Sequence, residues 1–472
     1  MKIIKLVVLL STLIILTSCT TKSINNTNSI EGVWESVGYG KVLKINSTTY
    51  QYYDITSISC LASKQGNISE VKNSMELIND TLIVKKGYSS YYYTRTTELS
   101  NLCQQDENKN NDLLYNFEVF AETYKNHYAY FELNKINWDN LYKTSKAKIN
   151  STTTEVELYL IMQEMIDSLK DNHGSIEPED EVYELAENQN NTDEEVNQQK
   201  KYGDFEIAGL VAEHHLKENL TKNSWIIKWG KMEDNIGYIQ VNAMMLFADL
   251  KLSDSLVREN GFASTYFDEF DKLNYDKQVE MEVKGISSIM DNVMDDLWTT
   301  KFIIIDVRFN GGGQDEVGLE VLRRFNTNRK QIASKKARYR DHYTPKTPIY
   351  LELSKKPYTK SVYLLTSQQS ASATDMMALA SMEIIQLKRI GSHTNGAISD
   401  ALQKILPNGW HFSLSNEVYT DNNDNFYENI GIPVDFELNY AENRQIFFRS
   451  VANNLEKDKQ NILKAIYKLQ SE

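Results

Sequence analysis

The segment Phe302-Ile303-Ile304-Ile305-Asp306-Val307-Arg308-Phe309-Asn310-Gly311-Gly312-Gly313 restricts the fold more than any other part of this chain. Its first half is a continuous apolar, β-branched run, the pattern of a strand covered on both faces. Three glycines then remove every Cβ, so the backbone can bend sharply and a ligand can approach its amides. A phosphate-binding loop is one rival. Gly311, Gly313 and Glu316 break the G-x-G-x-x-G spacing, however, and no Gly-Lys-Ser/Thr follows. A tight strand-to-helix turn needs one or two glycines. A loop whose amides receive an oxyanion accounts for all three.

A second apolar run, Val362-Tyr363-Leu364-Leu365, leads into Gln369-Ser370-Ala371-Ser372-Ala373-Thr374-Asp375. A strand that ends in small hydroxyl residues and then opens a helix places a serine beside unpaired first-turn amides and the positive end of the helix dipole. Simple capping competes with that reading, since Ser, Thr and Asp are favoured at helix N-termini. Upstream, Leu158, Ile161, Met162, Met165, Ile166 and Leu169 make one apolar helical stripe. Asp171-Asn172-His173-Gly174 closes it, with Gly174 as the expected stop. A histidine there is commonly a capping or surface residue, yet a serine nucleophile needs a base near neutral pH.

These segments, in this order, resemble the tail-specific and tricorn-core serine peptidases, the C-terminal-processing peptidase family. In that family a helix ends in Asp-Gly-His or Ser-His. One strand then runs into Asp-x-Arg-x-Asn-Gly-Gly-Gly and another into Ser-Ala-Ser-Ala-Ser-Glu. Here the counterparts are Asp171-Asn172-His173, Asp306 to Gly313, and Ser370 to Asp375. Tyr427-Glu428-Asn429-Ile430-Gly431-Ile432-Pro433-Val434-Asp435 is similar to the family's Glu-x-x-Gly-Val-x-Pro-Asp. The resemblance spans roughly residues 115–442 and implies Ser372 as nucleophile. It also implies oxyanion donors from Gly312 and Ala373.

The departures define the branch. The tail-specific base is a lysine in Gly-Glu-Pro-Thr-x-Gly-Lys, and Ala397 stands at that lysine's place in Gly391 to Ala397. The tricorn-like branch uses histidine, oriented through a serine and a glutamate. His173 and Glu428 fit two of those roles, and Asn172 occupies the serine's position. An asparagine amide can donate to a carboxylate and accept from an imidazole N–H, so Asn172 is expected as the relay. His393 replaces a family proline and reads as a loop residue lining the cleft. The interval from His173 to Ile236 is too short and too polar for the PDZ domain many tail-specific peptidases carry there. Another means of substrate selection is implied. A catalytically inactive peptidase-fold lipoprotein, binding a peptide or lipid ligand, is the alternative reading.

Residues 1–18 combine a basic start with an apolar core too short to span a bilayer comfortably. They end in Leu16-Thr17-Ser18-Cys19, which looks like a bacterial lipobox. Expected are lipidation of Cys19, cleavage before it, and a lipid-anchored protein facing the periplasm, from the outer membrane. The remaining cysteines, Cys60 and Cys103, read as a disulfide in that oxidising compartment, with two buried thiols as the alternative. His214-His215 lacks an H-E-x-x-H frame and reads as a helix-surface pair, and no CxxC occurs, so no metal site or cofactor is expected.

The formal charge of −14 and the absence of a Lys/Arg block argue against nucleic acid; the expected partners are a peptide or unfolded protein substrate and the membrane. The fold expected is mixed α/β. Residues 28–108 are expected to form a small antiparallel, barrel-like β domain, with a lipocalin-like arrangement as one reading. Residues 109–180 are helical and carry His173; Phe117, Phe120, Tyr124 and Tyr128 sit at core spacing, with His127 and Trp138 as packing or surface residues. Residues 181–232 are a polar insertion and linker, and Glu177 to Lys201, rich in Glu, Asn, Gln and Asp, reads as an exposed loop or disordered insertion. Residues 233–440 alternate strand and helix, and the family resemblance makes this core a crotonase/ClpP-like spiral. Trp410–Leu414 and Glu417–Tyr419 read as a hairpin delivering Glu428, Ala373–Leu387 as one helix, and 441–472 as a C-terminal helix.

Overall fold

The computed structural model describes residues 29–104, 109–190, 200–222 and 224–472. The N-terminal segment with Cys19 lies outside them, as does part of the polar insertion. The fold is mixed α/β, built on a seven-stranded sheet. Its order is Phe436–Glu437, Leu387–Gly391, Val362–Thr366, Ile303–Asp306, Ile236–Val241, Ile227–Met232 and Glu218–Asn219. The first five strands run parallel and the last two antiparallel.

The continuous apolar run at Phe302 is covered on both faces. Ile303 and Ile305 pack with the helices Tyr275–Leu297, Asp315–Arg323 and Ala373–Ser381. Phe302 and Ile304 face the helices Asp204–His215, Arg444–Ala452 and Leu455–Ser471. Period-two alternation sends neighbours to opposite layers, so a strand between two layers must be apolar at every position.

A third core joins the helices Leu113–His127 and Glu155–Leu169 to the strand His411–Ser415. Phe117, Phe120, Tyr124 and Tyr128 are buried in it. That strand lies between Ala401–Ile405 and Ser175–Glu177. It does not form a hairpin with Glu417–Thr420, which pairs instead with Lys330–Tyr339. The single residue Asn416 between the two strands leaves no turn, and the chain passes straight from one sheet to the other.

Four further expectations change. The helix after Ser372 stops at Ser381, and the apolar residues beyond it start the strand Leu387–Gly391. The C-terminal helix is two helices, parted at Asn453 and Asn454. The polar stretch from Glu177 contains the helix Asp180–Asn190. His215 is buried near Asp458 rather than on a helix surface.

The N-terminal unit is a seven-stranded antiparallel sheet with Cys60–Asn67 and Met75–Ile78 at its two edges. Among the described residues those edges do not pair, so the sheet is open and not a closed barrel. It docks on the rest of the chain: Tyr39 Oη donates to Glu417 Oε1 (2.6 Å), and Lys404 Nζ bonds Gly40 O and Asp54 Oδ1. Cys60 and Cys103 form a disulfide across a separation of 43 residues. Opening that loop by Cys60→Ser with Cys103→Ser should cost about 4 kcal/mol on the chain-entropy estimate. A denaturant midpoint matching the parent protein's would contradict this.

Candidate active site

The strand Ile303–Asp306 and the strand Val362–Thr366 are parallel neighbours, and both motif loops leave from the same end of the sheet. Ligands in open α/β sheets gather at that carboxyl end. After Asp306 the chain turns through Asn310, whose buried amide donates to Val241 O (3.0 Å). Gly312 and Gly313 follow with φ of +112° and +140°. A Cβ on Gly312 would stand 2.8 Å from both Ala371 O and Ser372 Cβ. The second glycine is therefore required by close approach to the serine as well as by its backbone.

Ser372 caps the helix Ala373–Ser381 at φ 58°, ψ −120°. A non-glycine residue in that region is strained, and such strain persists only where surrounding bonds enforce it. Asp375 supplies them. Its buried carboxylate accepts from the amides of Ser372 (2.8 Å), Gly396 (2.8 Å) and Ala397 (3.1 Å). Burial still pushes its pKa up to about 6, against the pull of these bonds. Asp375 ties the serine's backbone to the loop where the tail-specific lysine would stand. The serine at the cap with an acid three positions on was its only sequence signal.

His173 reaches this serine from a different core. The helix Glu155–Leu169 ends with Lys170 in the left-handed region, so the stop is Lys170 and not Gly174. A Cβ on Gly174 would lie 2.9 Å from Ile166 Cγ2, so this glycine serves close packing. Asp171 accepts from His173 N (3.0 Å), Ser415 N (2.9 Å) and Ser415 Oγ (2.5 Å), fixing the loop to the strand His411–Ser415. Ser413 Oγ donates to His173 O at 2.6 Å. With its backbone held on both sides, His173 places Nε2 3.2 Å from Ser372 Oγ. Burial lowers the imidazole pKa below its ordinary value, while the charges of Asp171 and Asp400 oppose that.

The expected relay through Asn172 is not formed. Asn172 is exposed and donates to Asn429 Oδ1 at 3.3 Å. Glu428 is buried, and its Oε2 accepts from the amides of Ile398 (3.0 Å) and Ser399 (2.9 Å). Burial raises its carboxyl to about 8, with Asp171 and Asp375 adding to the rise. That rise works against an ionised relay, and the two amide bonds tie Glu428 to the loop at residues 398–399. Among the described residues, the buried His173 Nδ1 has no hydrogen-bond partner.

The oxyanion expectation also changes at one donor. The Gly312 amide donates to Asn310 Oδ1 (2.9 Å) and is already engaged. Gly313 is the next amide. Met244 bonds Gly312 O and Gln314 N on either side of it, leaving the Gly313 N–H out of that pairing. Ala373 begins its helix, where no intrahelical acceptor exists for the amide. His393 is turned to Gln368 and to Thr394 O, and Ala397 is buried against Asp375.

The family model described as Peptidase family S41 matches residues 235–438, and that of the tricorn protease C1 domain matches residues 110–167. A protein named as a candidate peptidase from Parabacteroides merdae shares the fold at 18% identity and TM-score 0.52, covering 73% of this chain and 96% of its own. Mature CPAF does so at 9% identity and TM-score 0.51, covering 76% and 98%. Comparison with curated protein sequences gives no match.

Proposed function

We propose that this chain, whose residues 235–438 match the family model of the S41 peptidases, is a lipid-anchored serine endopeptidase with Ser372 as nucleophile and His173 as base. The observation that carries this reading is the 3.2 Å contact between His173 Nε2 and a serine held in strained geometry at a helix N-terminus. A peptide bond laid over Ser372 is attacked by Oγ as Nε2 takes its proton. The same nitrogen then returns the proton to the leaving amine. Developing negative charge on the carbonyl oxygen meets the Ala373 amide and, in the glycine loop, that of Gly313. Nε2 accepts only in the tautomer with hydrogen on Nδ1, and burial keeps the ring neutral and ready to accept.

A fluorophosphonate probe tests the assignment directly. Labelling should fall on Ser372 and vanish in Ser372→Ala. Folded protein that stays unlabelled would favour the alternative of a binding module, to which the unpartnered His173 Nδ1 lends support.

The substrates in this reading are peptides or unfolded protein segments, and the location is the periplasmic side of a bacterial envelope. Lipid on Cys19 would hold the chain there. Cys19→Ala should release the protein from the membrane fraction or leave the precursor uncleaved. A mature form starting elsewhere, without acyl chains, would remove the anchor from the proposal.

A further inference from the structure

Lys86 ends the strand Thr81–Lys86 half-buried, and among the described residues its ammonium has neither an ion-pair nor a hydrogen-bond partner. It lies over two rings, 5.7 Å from the centre of Tyr52 and 5.4 Å from that of Tyr91. Burial, helped by Lys41 and Lys64, pushes its pKa down to about 8, while the charges of Asp276 and Asp54 oppose this. A desolvated ammonium in that state gains from any anion that reaches it.

The space beside it can admit one. Lys86 borders a cavity of about 380 Å³ whose walls include Tyr39, Tyr91, Tyr275, Asp400 and Gln403. Both sides connect to the catalytic loops. On the sheet side, Tyr88 donates its amide to Glu316 Oε1 (3.1 Å) and its hydroxyl to Asp315 Oδ2 (2.5 Å). Those acids open the helix that follows Gly313. On the other side, Asp400 follows Ser399, whose amide holds Glu428. The strand Ala401–Ile405 pairs with His411–Ser415, which pairs in turn with Ser175–Glu177, a strand that starts two residues after His173. Asp400 and Glu417 share the walls with Lys86 and pair with Lys335 at 3.6 and 3.0 Å; their charge disfavours a multiply charged anion and leaves a single carboxylate as the best match to Lys86.

Resting on the peptidase reading of Ser372 and His173, we infer that this cavity is a substrate subsite in which Lys86 binds a carboxylate of the peptide. The tyrosine rings hold the flanking apolar surface. The carboxylate comes from an acidic side chain or from the chain terminus. In this way the docked N-terminal sheet contributes to substrate choice.

Binding to Ser372→Ala protein tests this without turnover. Short fluorescein-labelled alanine-rich peptides would be compared as an internal Glu against Gln, and as a free C-terminal acid against its amide. One acidic form should bind about tenfold tighter, or more, than its neutral partner, as a charge-assisted hydrogen bond provides. Which pair shows the difference identifies the source of the carboxylate. Lys86→Gln should erase the preference and Lys86→Arg should keep it. Equal binding of all four peptides, or a preference that survives Lys86→Gln, overturns the inference. Absence of fluorophosphonate labelling in the parent protein would count against the peptidase reading alone.

Discussion

His173→Ala should lower peptide turnover by on the order of a thousandfold or more while leaving the fold intact. His173 holds its place through backbone bonds to Asp171 and Ser413, which alanine retains, so loss of the ring removes the base and little else. Two nearby positions give the contrast. His393 bonds Gln368 and the Thr394 carbonyl, so His393→Ala should alter substrate binding more than the chemical step. Ala397→Lys should not be needed for activity. In kcat/KM against pH, the active form is neutral His173, so activity rises with pH. Because burial lowers the folded pKa, that limb should have its midpoint below the ordinary histidine value of about 6.5. Near-normal turnover in His173→Ala, or an acidic limb well above that value, would mean another group takes the proton.

Much of this arrangement was legible in the chain because it rests on local chemistry. A strand between two layers must be apolar throughout, and a helix cap beside the glycine loop needs small residues. Ile303 to Asp306 and Ser372 therefore announce themselves. The orienting contacts did not, because they depend on which side chain wins a long-range competition. Asn172 could have bridged His173 and Glu428, but Asn429 takes its amide. Glu428 could have been an ionised relay, but the amides of Ile398 and Ser399 claim it in a buried site that favours its protonated form. Gly312 has the required backbone, yet Asn310, two residues before it, already accepts its N–H. Helix lengths failed for a similar reason. Ile384 and Leu387 suit a helical stripe, but pairing with Val362–Thr366 turns Leu387 into the start of a strand.

Arg308→Leu should destabilise the whole catalytic core by about 3–5 kcal/mol, the usual cost of stranding buried charges. Arg308 is fully buried where the chain leaves the central strand for the glycine loop. Its Nη2 lies 2.7 Å from Asp306 Oδ2, and its Nη1 lies 2.9 Å from Asp458 Oδ2 and 2.8 Å from Tyr440 Oη. It thus clamps the C-terminal helix Leu455–Ser471 to the root of the oxyanion loop. Leucine fills much of the volume but leaves Asp306 and Asp458 without a cation. The pH dependence gives the mechanism a distinct signature. In the parent protein Arg308 holds Asp306 below the usual carboxylate range, against its burial, so this stabilisation exists at neutral pH and fades as pH falls through that lowered value. In Arg308→Leu the same buried carboxyl should titrate high, so its penalty appears as pH rises above about 4. The gap in urea midpoint between parent and variant should therefore be wide at pH 7 and narrow in acid. Adding Asp306→Asn and Asp458→Asn should restore much of the loss at pH 7. A variant within about 1 kcal/mol of the parent at neutral pH would show that this clamp is not what holds the loop.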